Sequence, residues 1–172
     1  KRYGGHAQGT LSYTTSPVHT VELYVKAAKE QAQIGIDSLV IKDMAGILSP
    51  IDAEKLVSAL AKEIDVPIQM HCHATSGMAI ATYGEGVRAG AGAIDCAISP
   101  MAGFQSQPPV ETMLGIFKDM PYHATLDYDA LKKVCAYFLN LKKERMLSKQ
   151  VPQNVIDPDI LRHHIPGGMI SN

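Results

Sequence analysis

Short apolar runs alternate along this chain with longer stretches in which apolar residues recur every three or four positions. GTLSYTT (9–15) reads as a strand, and Ser16-Pro17 then supplies an N-cap followed by proline at the first helical position. Residues 18–33 carry Val18, Leu23, Val25, Ala27, Ala28 and Ala32, a helical pattern. GIDSLVIKDM (35–44) is a continuous apolar run ending in polar residues, as a strand buried on both faces requires. Ser49-Pro50 repeats the capping device before a helix with Ala53, Leu56, Val57, Leu60, Ala61 and Ile64 on one face. VPIQMHCHA (66–74) predicts the next strand, 77–90 a helix weakened by Gly84 and Gly86, and AGAIDCAIS (91–99) a third buried strand.

Strands thus begin near 9, 36, 66 and 92, about 27–30 residues apart, each followed by a helix. Gly35-Ile36-Asp37 and Gly92-Ala93-Ile94-Asp95 are faint echoes at two strand starts. Short alternating β and α units predict a parallel sheet, either doubly wound or a (β/α)8 barrel. No GxGxxG or GxxxxGK[ST] follows the first strand, which weakens the nucleotide-binding version. The strand ends read YTT, KDMAG, HCHATSG and ISPM, and polar residues at several strand ends suit a barrel. Four units make half a barrel, and its open sheet edges suggest a truncated chain. Residues 1–103 are therefore expected to form the second half of a barrel. Residues 104–172 are expected to supply the last barrel helix, further helices and the start of an extension.

Composition narrows this little. The formal charge of -1 gives no electrostatic reason to expect nucleic acid. No apolar run is long enough to span a bilayer, and KRYGGHAQG does not open a signal peptide. Cys72, Cys96 and Cys135 form no CxxC pair, so the expected compartment is a reducing cytoplasm.

The chemistry gathers at the strand ends. His71 and His73, two apart on a strand, point to one face with Cα atoms about 6–7 Å apart. They are either a metal-chelating pair or two packed imidazoles. Lys42 ends IDSLVIK, where lysine is unusual. It is either a strand-end lysine paired with Asp43, or a desolvated amine able to add CO2 and become a carbamate ligand. With the two histidines, a carbamate would give three protein ligands and leave positions open. Thr75 and Ser76 are candidates for an N-cap or for hydroxyls facing the same cavity. Tyr13, Thr14, Gln105, Ser106 and Gln107 fall at the same end, whereas Met44, Met78 and Met101 read as packing.

Lys42-Asp43-Met44-Ala45-Gly46, His71-x-His73-x-Thr75-Ser76-Gly77 and Pro166-Gly167-Gly168, in that order, resemble the carboxyltransferase domain of biotin-dependent enzymes. These are pyruvate carboxylase and its separate carboxyltransferase subunit, the oxaloacetate decarboxylase alpha subunit and the pyruvate-side subunit of transcarboxylase. GTLSYTTSPVHT looks most like the decarboxylase subunit and its carboxylase relatives, and LDYD at 126–129 has something of the transcarboxylase subunit. The resemblance implies a (β/α)8 barrel with a divalent metal, zinc first and cobalt or manganese as alternatives. It implies Lys42 as carboxylated lysine and metal ligand, His71 and His73 as metal ligands, and catalytic roles for Lys42, Thr75 and Ser76. It further implies pyruvate or oxaloacetate as substrate, biotin on a carrier domain or subunit, homo-oligomers, and possible peripheral association with a membrane decarboxylase complex. The family's metal-binding aspartate, its substrate-holding arginine and glutamine, and a proton-shuttling threonine are expected outside this sequence, leaving the fragment inactive alone. Ala74 stands where some members carry aspartate, so the resemblance gives no acid role at this position.

Metal-dependent aldol-type lyases and synthases, such as hydroxymethylglutaryl-CoA lyase and isopropylmalate synthase, also carry HxH on this strand. Their counterpart of KDMAG usually has glycine before the aspartate, where this chain has Lys42. A non-catalytic barrel fragment would bind no metal and tolerate His71→Ala.

Overall fold

A computed structural model describes residues 3–146, and the Pro166-Gly167-Gly168 motif lies outside the described residues. Four parallel strands form one sheet in chain order: β1 (Gln8–Ser12), β2 (Ser38–Asp43), β3 (Ile68–Cys72) and β4 (Ala93–Ile94). The helices are α1 (Val21–Ile34), α2 (Pro50–Glu63), α3 (Ala79–Arg88), α4 (Val110–Phe117) and α5 (Tyr128–Met146), with a 3-10 turn at Ser99–Met101. Successive βα units with parallel neighbours are the building pattern of a (β/α)8 barrel, and β1 and β4 are the two sheet edges.

The sheet separates its residues by parity. Leu11, Leu39, Ile41, Ile68, Met70 and Cys72 are buried in the core with Ala53, Leu56, Val57 and Leu60 of α2. The opposite face carries Gln8, Thr10 and Ser12 of β1, Ser38 and Lys42 of β2, and Gln69 and His71 of β3. One sheet therefore offers an apolar face to its helices and a polar face to the barrel interior. β2 is buried at every position but Lys42, as its continuous apolar run predicts.

Ser49 caps α2 as expected, its side chain accepting from Asp52 N, a device worth about 1 kcal/mol. The first helix begins later than predicted, because its N-cap is Thr20 rather than Ser16. Ser16 instead closes a separate turn, accepting His19 N at its carbonyl and Val18 N at its hydroxyl.

The expected strand over 91–99 is the largest departure, for only Ala93 and Ile94 pair with β3. Asp95 N still donates to Met70 O at 2.9 Å. The next parallel bond would join Cys72 N to Asp95 O, and the hydroxyl of Tyr83 stands between them. It accepts from Cys72 N and donates to Asp95 O, both at 2.8 Å. This side chain, fully buried on α3, ends the ladder by replacing its next bond.

α4 packs Met113 and Phe117 into the core. α5 is attached by polar contacts, Lys142 Nζ donating to Pro100 O at 2.7 Å and Cys135 Sγ to Glu111 at 2.6 Å. Val134, on this helix, stays exposed.

Candidate metal centre

The carboxyl ends of β2 and β3 bring three of the predicted residues together. Lys42 and His71 are direct neighbours in the parallel register, and Ser12 flanks Lys42 from β1. The imidazole Nε2 atoms of His71 and His73 lie 3.3 Å apart, with the rings edge to face. Two nitrogens each about 2.0–2.1 Å from one tetrahedral ion would be about 3.3 Å apart, so the pair fits a shared cation. Among the described residues, no group of three or more His, Cys, Asp or Glu is arranged to hold a metal. From the described residues, a third ligand at the pair would come from another residue type, and Lys42 is in register for it.

Lys42 is not held by Asp43. Consecutive strand residues point to opposite faces, and Asp43 is buried on the helix side. Its carboxylate accepts from Gly46 N, Ile47 N and Leu48 N at 2.9, 3.1 and 2.8 Å. Burial pushes this carboxyl above its ordinary range, and those main-chain donors pull it partly back. Asp43 thus folds the KDMAG loop while Lys42 remains on the site's face. The ion-pair reading of Lys42 fails for this reason.

His71 gains a partner that sequence reasoning missed. Its Nδ1 lies 2.7 Å from Asp95 Oδ2, just beyond β4. Gln69 Nε2 donates to the other oxygen of Asp95 at 2.7 Å. The repeated Ile-Asp echo was the available signal, but it marked a strand start rather than a contact. Gln107 comes from the loop after the 3-10 turn, its amide 3.3 Å from His71 Nε2. That loop crosses the end of β3 through Ala74 N, which donates to Ser106 O at 2.8 Å. His73 is held below its ordinary value mainly by burial and next by the neighbouring His71.

Thr75 and Ser76 direct their hydroxyls to the KDMAG loop. Thr75 Oγ1 donates to Ala45 O at 2.6 Å, and Ser76 Oγ donates to Gly46 O. The N-cap position of α3 is Met78, which has no side-chain cap bond, but Ser76 Oγ also accepts from Met78 N at 3.3 Å, while Thr75 makes no such bond. The bonds to Ala45 O and Gly46 O tie the loop after Lys42 to the loop after His73. Tyr13 and Thr14 are engaged on the helix side, Tyr13 stacked on Tyr24 and Thr14 bonded through its backbone to the Tyr24 hydroxyl.

The barrel-type sheet with an HxH pair at its carboxyl end defines a class, and the HMGL-like family matches residues 9–137. The chain belongs to that family. It is 43% identical over 173 residues to a pyruvate carboxylase subunit of Methanocaldococcus jannaschii, covering 100% of this chain and 30% of that protein. It is 37% identical over 174 residues to the methylmalonyl-CoA carboxyltransferase 5S subunit of Propionibacterium freudenreichii subsp. shermanii, covering 100% of this chain and 34% of the relative. The carboxyl transferase domain of Rhizobium etli pyruvate carboxylase, solved with pyruvate, superposes with a TM-score of 0.92 at 26% identity, over 99% of this chain and 30% of that one. The chain spans about a third or less of the length of these relatives. No helix among the described residues is long and apolar enough to cross a membrane.

Proposed function

We propose that this chain is the metal-holding part of a biotin-dependent carboxyltransferase that moves a carboxyl group between oxaloacetate or pyruvate and biotin. The observation that carries the reading is the convergence of Lys42, His71 and His73 at one strand-end site, with the two imidazole nitrogens at chelating separation. The relatives' names, pyruvate carboxylase and methylmalonyl-CoA carboxyltransferase, supply the reaction class.

His71 and His73 would hold a divalent ion through Nε2. The donor set of two imidazoles and an oxygen suits zinc, with cobalt and manganese as alternatives. Lys42 would contribute that oxygen as a carbamate: its neutral amine adds to the carbon of CO2, forming one N–C bond and releasing one proton. When bound, the metal supplies Lewis acidity toward the negative charge that develops on a keto acid as its C–C bond to the carboxyl group breaks or forms. Asp43 shapes the loop beside Lys42 through three main-chain N–H groups. Thr75 and Ser76 hold the two ligand-bearing loops together, which supports a positioning part in catalysis. Biotin arrives on a carrier domain or partner subunit. The same reading expects a homo-oligomeric enzyme working in the cytoplasm.

Lys42 separates this reading from an aldol-type lyase or synthase, where glycine usually fills that place. The test uses the natural full-length protein. The expected result is about one divalent metal per chain and avidin-sensitive oxaloacetate decarboxylation or pyruvate carboxylation. Metal-free protein with His71→Ala behaving as wild type would overturn it.

A further inference from the structure

The polar face of the sheet carries a continuous line of hydrogen bonds that ends on His71. Gln8 divides its two amide hydrogens between Ser38 Oγ and Gln69 Oε1, both at 3.0 Å. Ser38 is held in turn by His6 Nε2 at 2.8 Å. Because its oxygen faces Gln8, Gln69 must point its NH2 the other way, and it donates to Asp95 Oδ1 at 2.7 Å. That leaves Asp95 Oδ2 for His71 Nδ1, again at 2.7 Å. The line crosses all four strand positions of the sheet, from Gln8 on β1 to Asp95 just past β4.

The direction of the donors has a consequence for His71. An ionised carboxylate only accepts, so the Nδ1 facing Asp95 must carry the hydrogen. In the neutral ring this puts the lone pair on Nε2, the atom that faces His73 Nε2 and the Gln107 amide at 3.3 Å each. Asp95 itself binds the far side of the ring, so it acts on the site through His71 rather than as a ligand.

We infer that Gln8, Gln69 and Asp95 form a positioning chain that fixes the tautomer and orientation of His71 so that Nε2 is presented to a metal. The inference rests on the metal-site reading, and it assigns Asp95 and Gln69 as positioning residues. Carboxylate partners of metal-bound histidines are worth about 10–100-fold in metal affinity. The loss should fall along the chain: largest at Asp95, smaller at Gln69, smallest at Gln8.

The test uses the natural full-length protein, with two readouts that do not depend on turnover. Cobalt affinity is measured by chelator competition, and the His71 tautomer by long-range 1H–15N spectra of metal-free protein at one fixed pH. Asp95→Ala should weaken cobalt binding about 10–100-fold and convert His71 to mixed tautomers. Gln69→Leu should cost less than about tenfold. Asp95→Asn keeps the shape, so it stands in should the alanine variant fail to fold. Its single amide oxygen can serve His71 or Gln69 but not both, and an intermediate loss is expected. Cobalt binding within about twofold of wild type in both Asp95 variants, with the His71 spectrum unchanged, would overturn the proposal. So would a wild-type His71 that carries its hydrogen on Nε2. If wild type binds no cobalt, the metal reading fails, while the tautomer spectra still decide whether Asp95 positions His71.

Discussion

Lys42 and His71 face each other across the β2–β3 register, one strand spacing apart on the polar side of the sheet. Backbone hydrogen bonding sets this pairing, and neither side chain is needed to keep the strands together. Replacing the lysine should therefore leave the fold intact and act on chemistry alone. Lys42→Ala is expected to reduce bound metal and carboxyl transfer to background in the full-length protein while circular dichroism stays unchanged. Lys42→Arg should behave like alanine, because a guanidinium remains protonated and cannot add CO2. Full activity in either variant would refute the carbamate.

Tyr83 supports the same site from the helix side. Its hydroxyl occupies the place of a ladder bond between Cys72 N and Asp95 O. Tyr83→Phe removes one oxygen and leaves a buried N–H and a carbonyl without that partner, which should cost about 1–3 kcal/mol. Since Asp95 hangs from that carbonyl, the variant should also lower metal affinity, in proportion to how far Asp95 moves. Urea unfolding and chelator competition on one sample measure both effects. Unchanged stability would show that the strands close up to form the missing bond.

These residues show how far local pattern reaches. Ser49-Pro50, the apolar run of β2 and the HxH pair were legible because each depends on neighbours in sequence. Asp95 was not, since its role is set by a residue 24 positions away. Gln107 was legible as a residue of the strand-end loops, but its contact with His71 across 36 positions runs through a loop whose path no periodicity describes. The end of β4 depends on a tyrosine from the preceding helix entering the ladder. Ser16 and Thr20 are both acceptable caps by type. The choice between them follows from Ser16 closing its own turn with Val18 and His19.

Glycines give a paired test of local strain. Gly46 has φ +70°, and an added Cβ would lie 2.4 Å from Thr75 Oγ1 and 2.7 Å from His73 O. The second contact is backbone and cannot turn aside. Gly46→Ala should destabilise by about 2 kcal/mol or more, combining left-handed strain with displacement of the loop. Metal affinity should fall with it, because the displaced carbonyl belongs to His73. Gly84 lies inside α3 with nothing within 4 Å of an added Cβ. Gly84→Ala should stabilise by about 0.5–1 kcal/mol and leave metal binding alone. Thermal melts of the two variants should therefore move in opposite directions.

Cys96 offers a readout of pH on the β4 side. It lines an apolar cavity with Val87, Ile94, Val110, Met113 and Phe117. Burial, then the Asp95 and Glu111 carboxylates, push its thiol up from 9.0 to about 11. Near pH 8 its thiolate should be roughly 100-fold scarcer than that of an unshifted thiol. The greater nucleophilicity of a more basic thiolate offsets part of this, so alkylation should be roughly tenfold slower than for an unfolded-chain cysteine. The sign for stability follows from proton binding. Between about 9 and about 11 the folded state holds this proton more tightly than the unfolded one, so stability falls as pH rises through that window. Cys96→Ala should flatten that slope, and peptide-resolved iodoacetamide labelling across the same window should rise with a midpoint near 11. A labelling midpoint near 9 would mean that the cavity beside β4 admits water and leaves the thiol unshifted.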